Sequence, residues 1–417
     1  MEIIVIKSIL SVLLSVVVTI VIYFEKPLKR WLEIRQPAQV VFGAWLIARL
    51  LPFCVIYLAL GFAPISDING FFGQAFHAAK GEVVYRDFTC MYSPLFPYIN
   101  GLAVWLWEDK RAVVATMLLI ELLAVLASYS FFKSQDNKAD LLFKILIYFV
   151  LPSSFVFCVL GGQEDEWMWL MAILSFLVWQ KTDKIEAMGV VLLLGFLVSK
   201  AVFVLFLPTL LWLVPKPIRW IWPMAILGMI TLAILYHFTK WEFILQPTNE
   251  ANTLRSPNIP SVLSPLTFGV LHFGAKFWNW IGLLITVATG FVAAFWFKAL
   301  SIKHSLSAVW VLLFGTMMVI QQSAYSSYIF IFLLPLSLVW IDYSNKKEVL
   351  ILLIYNVVSA VHPSLWWRLQ QPKYNAISEV FKAPIFVLDY ALQLAVVLCT
   401  LYFLRLVWQK ASMIKTG

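Results

Sequence analysis

Asp67 stands near the start of the first long polar stretch of the chain, residues 64–97. It follows the apolar block 38–62 by only a few residues, so its carboxylate is expected to lie close to the end of that block. A partly dehydrated carboxylate there has a raised proton affinity and can act as a general base. The alternative is that Ser66 or Asp67 caps the helix expected over 68–79.

A second acidic group lies in the short turn GGQEDE, residues 161–166. Glu164 and Asp165 could bind the hydroxyl groups of a substrate. Together with Asp67 they could instead hold a divalent cation such as Mg²⁺ or Mn²⁺, because hard cations prefer carboxylate oxygens. The sequence requires no cofactor, and a metal site on Asp67 and Asp165 is one alternative. The other is that these acids cap a helix beginning at Trp167.

The chain also carries candidate ligands for the phosphate of a lipid. Lys200 lies between two apolar blocks, where an ammonium can bind a lipid headgroup or merely extend to the membrane surface. Further candidates lie in polar segments later in the chain: Arg255, Arg368, His362 and Tyr325. Tyr325 could line a phosphate groove or serve as an interfacial anchor.

Composition decides what kind of molecule must position these residues. Of the 417 residues, 62% are hydrophobic and only 13% are charged, which is too few charges for the surface of a soluble protein. A net charge of +9 would suggest nucleic acid in a soluble chain, but membrane proteins collect Lys and Arg in cytoplasmic turns. The charge therefore indicates topology, and we expect membrane lipids and no nucleic acid as partners.

The apolar blocks predict an all-α, polytopic membrane protein with about 13 transmembrane helices in a single domain, 1–417. A helix needs roughly 20 residues to cross a hydrocarbon core of about 30 Å. The longest blocks are 3–24, 38–62, 112–132, 144–160, 220–238, 279–297, 305–322 and 385–405. Shorter blocks are 166–180, 186–199, 201–215, 327–341 and 349–361.

Basic residues predict the sidedness of the loops. All the basic turns fall on the same side of the membrane if block 95–107 does not cross it. These turns, each with Lys or Arg, are 25–37, 181–184, 216–219, 298–303 and 346–347. That block is about 20 Å long as a helix and rich in aromatic residues, so we predict a re-entrant or interfacial element. The extracytoplasmic segments are then 63–111, 161–166, 239–278 and 362–384.

The order of several motifs resembles the GT-C superfamily of integral membrane glycosyltransferases. It is most similar to the bacterial, mannosyltransferase-like branch that uses polyprenyl-phosphate sugars. The similarity covers about the first 215 residues. Its motifs are Arg49 in an apolar helix, Asp67-x-Asn69, the run 78–88 that ends in YRDF, YSPLF at 92–96, Gly162 to Asp165 after Pro152, and Lys200 followed by Pro208.

The resemblance implies a GT-C-like fold with a long first outer loop, and an enzyme that transfers a hexose or pentose such as mannose. The donor would be a polyprenyl-phosphate sugar and the acceptor a lipid-linked or cell-envelope glycan. Asp67 would be the base, with Asn69 and Gln163 in contact with sugar or acceptor. Asn69 stands where a second acid might be, which makes a two-carboxylate metal site at that point less favoured. The site would face outward from a bacterial inner membrane.

Two other functions remain open from the sequence. A polymerase or ligase of lipid-linked polysaccharide would also pair outer loops with many helices, but it would rely on a strongly basic late loop, and 239–278 is only modestly basic. A lipid-linked sugar flippase or other transporter would place charged residues along a path through the helices. The sequence suggests only Lys7 and Arg49 at such depth.

Overall fold

The computed structural model describes residues 2–133, 137–267, 270–271 and 274–416. The predicted outer segment 239–278 includes residues 268, 269, 272 and 273, which lie outside the described residues. Within the described ranges the chain is helical, without a strand. This confirms the all-α prediction.

In the first half of the chain, the described residues form eleven helices. They are α1 Glu2–Tyr23, α2 Glu25–Glu33, α3 Pro37–Ala59, α4 Ile68–Ala79, α5 Phe96–Leu106, α6 Lys110–Phe132, α7 Lys138–Val150, α8 Pro152–Leu160, α9 Glu166–Thr182, α10 Ile185–Val198 and α11 Ala201–Leu213.

Nine helices follow within the described residues after Leu213. They are α12 Pro217–Thr239, α13 Glu242–Ala251, α14 Ile259–Leu263, α15 Phe277–Phe297, α16 Ile302–Ile320, α17 Ser326–Trp340, α18 Lys346–Arg368, α19 Ile377–Val380 and α20 Pro384–Thr416.

Eight helices of the described chain are long and apolar enough to cross a membrane: α1, α3, α6, α12, α15, α16, α18 and α20. Helices α7 and α8 together are also long and apolar enough to cross, but they are bent by 61° at Leu151, the residue before Pro152. The chain is thus a multi-pass membrane protein by helix length and composition. The sequence treated 349–361 as a short block, whereas α18 has 23 residues because the helix continues through Pro363 to Arg368.

The packing separates a buried centre from an apolar periphery. In α16, 89% of the most apolar stretch of the helix is buried inside the protein. Trp310 at the middle of α16 packs against Trp169, Phe206 and Phe314. In α1 only 11% of the most apolar stretch of the helix is buried, and Ile9 and Leu13 are exposed. Exposed aliphatic side chains along a long helix are expected where lipid, not water, covers the protein.

The loops fall into two groups at opposite ends of the helix bundle. At one end, here called the Asp67 end, the Asp67 loop contacts turn 161–166, and Lys7 contacts Ser364. At the other end, called the Lys29 end, Lys29 pairs with Asp140. The Lys29 end holds the basic turns, which are joined there by the pairs Arg219–Glu186 and Lys410–Glu348.

Helix α5 begins and ends at the Asp67 end. Before it, the Leu95 N–H donates to the Leu197 carbonyl at 2.8 Å, and after it Lys110 Nζ donates to Asn69 Oδ1 at 2.6 Å. Gly101 packs closely on the backbone of α4, where a Cβ would lie 3.1 Å from the Ala75 carbonyl oxygen. This is the geometry expected of an element that does not cross; its depth in a membrane stays a prediction.

Candidate functional site

Asp67 occupies the turn that leads into α4. Ser66 before it has a φ of 69°, and this left-handed residue turns the chain sharply into the helix. Asp67 takes the N-cap position, but its side chain makes no capping hydrogen bond. Instead, its Oδ2 accepts a hydrogen bond from Gln163 Nε2 at 2.8 Å. Its carboxylate thus faces turn 161–166 and does not cap α4.

The environment of Asp67 differs from the one expected from sequence. We expected a partly dehydrated carboxylate, but Asp67 is exposed. The reason is that α3 ends at Ala59 and residues 60–66 carry the chain beyond the helix end before Asp67 is reached. Exposure leaves one face of the carboxylate open to a bound molecule.

Gly162 brings Gln163 close to Asp67. It has a φ of +54°, and a Cβ at this position would lie 2.1 Å from Ile68 Cδ1 in the first turn of α4. The Gln163 N–H donates to the Phe157 carbonyl at 2.9 Å, which holds the turn on the end of α8. A residue without a side chain is therefore needed for the turn to approach α4 this closely.

Glu164, Asp165 and Lys200 form a buried ionic group beside Asp67. Lys200 Nζ lies 2.6 Å from Asp165 Oδ1 and 2.7 Å from Glu164 Oε1. Both acids are buried, at 1% and 0% exposure. Asp165 is the N-cap residue of α9 but makes no side-chain capping bond, so its carboxylate serves Lys200 and not the helix. We call Asp67, Gln163, Glu164, Asp165 and Lys200 the acidic cluster.

Burial sets the protonation behaviour of this group. It raises the pKa of Glu164 to about 7, against the opposing effect of Lys200, and burial also raises the pKa of Asp165. Burial alone would lower the pKa of Lys200, but Asp165 and Glu164 outweigh it and hold that pKa well above its usual value. Two carboxylates therefore share one ammonium, and a proton on Glu164 near neutral pH balances the charge.

The metal alternative, on Asp67 and Asp165, stays a prediction. In the structure the Lys200 ammonium contacts both buried carboxylates, those of Glu164 and Asp165. Within the described ranges, no three His, Cys, Asp or Glu side chains are grouped to hold a metal ion. Glu164 Oε2 and Asp165 Oδ2 are buried and have no hydrogen-bond partner among the described residues.

Aromatic residues form one wall of the cluster. The Tyr328 ring lies 4.8 Å from Lys200 Nζ, and Arg255 stacks over Tyr325 at 5.9 Å. The Tyr325 hydroxyl donates to the Pro363 carbonyl at 3.1 Å. Burial, followed by the negative charge of Asp67, raises the pKa of Tyr325 well above its usual value. Tyr325 and Arg255 therefore belong to the surroundings of Asp67, and Arg255 lies in the predicted outer segment 239–278.

Three other predicted residues lie elsewhere. His362 was expected in an outer loop, but it is fully buried in α18, where Nδ1 lies 3.1 Å from Ser326 Oγ. The prediction was wrong because α18 continues through Pro363. Arg368 is exposed at the last position of α18. Asn69 Oδ1 accepts from Lys110 on an exposed surface, so Asn69 is not part of the acidic cluster.

Lys200 does not present a free positive charge. Its ammonium is held by two carboxylates, so it balances the cluster and is not available as the sequence had suggested for a phosphate. Lys7, to which the sequence assigned no role, is better placed. Its Nζ donates to the neutral Ser364 Oγ at 2.9 Å and lies close enough to Asp67 for their charges to interact. The signal in the sequence was the position of Lys7, about one turn after the start of the first apolar helix.

The sequence analysis also missed a polar network inside the bundle. Arg49 pairs with Glu121 at 2.6 Å, and both side chains are fully buried. The Arg49 guanidinium also donates to the Phe149 carbonyl at 2.7 Å. The prediction that only Lys7 and Arg49 lie deep in the helices was wrong, because Glu121 is also buried there. The sequence signal for it was an acidic residue within the apolar block 112–132.

Compared with known proteins, the chain matches no model of a protein family and no curated protein. A functional proposal therefore rests on the motif resemblance of the sequence and on the acidic cluster with its surroundings.

Proposed function

We propose that the chain is an inverting membrane glycosyltransferase of the GT-C type. It would move a sugar from a polyprenyl-phosphate donor to a lipid-linked or cell-envelope glycan, with Asp67 as general base. The observation that carries the proposal is an exposed carboxylate bonded to Gln163, beside buried carboxylates with unused acceptor atoms, at one end of an apolar helix bundle. The proposal includes about 13 membrane crossings and a site on the outer face of a bacterial inner membrane.

The reaction assigned to Asp67 is a single displacement. The acceptor O–H loses its proton to the carboxylate while its oxygen forms a bond to the anomeric carbon. The bond from that carbon to the phosphate oxygen breaks, and the lipid phosphate leaves with the electron pair. One displacement inverts the configuration at the anomeric carbon. The Gln163 amide holds one carboxylate oxygen, so the other is free to take the proton.

The departing phosphate needs positive charge or hydrogen-bond donors. We assign this role to Lys7, whose charge interacts with Asp67, and to Arg255, whose guanidinium lies over the Tyr325 ring. Within the described chain, Lys7 Nζ donates to a neutral hydroxyl, whereas Lys200 is held by two carboxylates. The charge of Lys7 is therefore less compensated than that of Lys200.

A groove in the apolar surface supports a lipid substrate. It lies between α1 and α18, has a volume of ≈ 470 Å³ and is lined almost entirely by aliphatic side chains such as Val16 and Ile354. It begins about one and a half turns along α1 from Lys7, toward the Lys29 end. An isoprenoid chain in this groove would have its phosphate at the Asp67 end.

The test is a transfer assay of purified protein with a panel of polyprenyl-phosphate sugars and glycan acceptors. Asp67→Asn is expected to lower kcat by roughly 10²–10⁴-fold, as the loss of a general base does, with donor affinity little changed. Asp87→Asn is the matched control, because Asp87 is an exposed acid of the same loop that pairs with Arg86 at 2.8 Å. Transfer at the wild-type rate by Asp67→Asn contradicts the base assignment. Chelation of divalent cations is expected to leave the rate unchanged.

The buried network favours a second candidate function, a flippase or transporter for lipid-linked sugars. Arg49, Glu121 and Glu166 are ionisable groups inside the bundle, as a path through a membrane would require. Proteoliposomes with a fluorescent polyprenyl-linked sugar separate the two functions: translocation without any new glycosidic bond would support the transporter, and product formation would support the transferase.

A further inference from the structure

The Tyr148 hydroxyl lies between two buried carboxylates. Its oxygen is 2.6 Å from Glu166 Oε1 and 3.1 Å from Glu121 Oε1. All three side chains are buried, and they lie on α7, α9 and α6. A tyrosine has one hydroxyl proton and an ionised carboxylate has none, so a phenol between two ionised carboxylates can satisfy only one contact. The second contact requires a proton on one of the acids.

Glu121 is the acid that stays ionised. Its Oε2 accepts from Arg49 Nε at 2.6 Å and from Cys158 Sγ at 3.2 Å. Its Oε1 accepts from Arg49 Nη2 at 2.8 Å. A carboxylate that receives two bonds from one guanidinium is a strong charge-assisted acceptor, and a proton on it would displace those donors.

Glu166 has the opposite surroundings. Its Oε2 has no hydrogen-bond partner among the described residues, and no cation pairs with it there. The charged and titratable groups that face it are Tyr148, Glu121, Asp165, Arg49 and Cys158, and the one cation among them is already bonded to Glu121. A buried, unpaired carboxylate beside two other acids costs several kcal/mol, whereas the neutral acid does not.

We infer that Glu166 holds a proton in the folded protein and donates it to Tyr148, which donates its own proton to Glu121. The charges of Arg49 and Glu121 then cancel, and Tyr148 and Glu166 are neutral. Each of the two contacts of the Tyr148 oxygen then contains one proton. The hydrogen bonds thus run from Glu166 through Tyr148 to Glu121, and the negative charge stays on Glu121 beside Arg49. This property is independent of the proposed transferase.

The direct test is infrared spectroscopy of the purified full chain at about pH 9, where Glu164, with its pKa of about 7, is ionised. A protonated Glu166 gives a carboxylic acid C=O band that shifts in D₂O and disappears in Glu166→Gln. The control is Glu348→Gln. Glu348 is also a buried acid, but it is bonded to Lys410 at 2.7 Å and is expected to contribute no such band.

Tyr148→Phe provides a second variant. Removing the hydroxyl frees the Glu166 acid from its hydrogen bond, so its C=O band is expected to move to higher frequency and to remain in the spectrum. An unchanged spectrum in Glu166→Gln, or a band that Tyr148→Phe does not move, overturns the inference.

Thermal unfolding gives a measurement that does not depend on the band. Glu166→Gln keeps an N–H donor toward Tyr148, so its melting temperature should stay within about 3 °C of wild type. Glu166→Leu removes the donor, so its melting temperature should fall several times further below wild type than that of Glu166→Gln. If Glu166→Gln is instead as unstable as Glu121→Gln, which breaks the pair with Arg49, then Glu166 is an ionised partner and the inference fails.

Discussion

Burial divides the acids of the acidic cluster into two kinds. Asp67 is exposed and accepts a hydrogen bond from the Gln163 amide, whereas Glu164 and Asp165 are buried and share Lys200. An exposed carboxylate can reach a bound acceptor, and a buried pair cannot move far without breaking its ion pairs. We therefore propose the base role for Asp67 and not for the buried pair.

Glu164 should make the stability of the protein depend on pH. Its pKa is about 7 in the folded protein and near 4.5 when unfolded, so the proton favours the folded state. The stabilisation is full below about pH 4.5 and is lost as the pH rises through about 7. Glu164→Gln should remove roughly 2 kcal/mol of this dependence between pH 5 and 8.

The measurement is thermal unfolding in detergent across that range, with wild type and Glu164→Gln side by side. Lys200 keeps Asp165 as a partner in the variant, so the ion pair is preserved. Parallel profiles of the two proteins would show that Glu164 does not titrate between the folded and unfolded states.

Helices are held at the distances the cluster needs by small residues at their contacts. Gly162 lets turn 161–166 approach α4, and Gly189 lets α10 approach α12. Without a strong hydrophobic force between helices in lipid, such close backbone contact contributes much of the packing. The position of Lys200, which follows α10, thus depends on contacts that involve no charge.

Gly189→Ala should destabilise the bundle. A Cβ at this position would lie 2.0 Å from the Trp220 carbonyl oxygen, and a backbone atom cannot swing aside as a side chain can. We expect a loss of about 1–3 kcal/mol, as for other overpacked sites, seen as a lower melting temperature. Gly43→Ala in α3 is the control, since a Cβ there would meet no neighbouring atom within 4 Å and alanine favours helix. Equal melting temperatures for the two variants would contradict this packing role.

The two ends of the whole molecule carry different chemistry. The Asp67 end holds the acidic cluster, and the Lys29 end holds the basic turns and a cavity of ≈ 390 Å³. The cavity is lined by Lys29, Lys144 and Lys410 together with Glu25, Asp140 and Asp342. From the basic turns we predict that the Lys29 end faces the cytoplasm and that the acidic cluster faces outward.

Labelling of single cysteines by an impermeant reagent tests that orientation. Glu108 follows α5 at the Asp67 end and Lys346 begins α18 at the Lys29 end, and both are exposed. Glu108→Cys should react from outside the cell and Lys346→Cys only after the membrane is opened. None of the four native cysteines is exposed, so background labelling is low. Reaction of Glu108→Cys from the cytoplasm alone would show that 95–107 crosses.

The sequence by itself determined the helical, multi-pass architecture. Its apolar blocks are long because every backbone group in lipid must bond within its own helix, a local requirement that can be read from one segment. The sequence analysis also assigned Asp67, Gln163, Asp165 and Lys200 to one site. Their hydrogen bonds and ion pair in the structure join loops far apart in the chain.

Only the tertiary structure decided which charges compensate one another. Lys200 meets two carboxylates, Lys7 meets a hydroxyl near Asp67, and His362 is buried behind Ser326. These outcomes depend on which helices pack together and on how far each one extends. A charged side chain in a low-dielectric interior is stable only beside its partner, and that partner comes from another part of the chain.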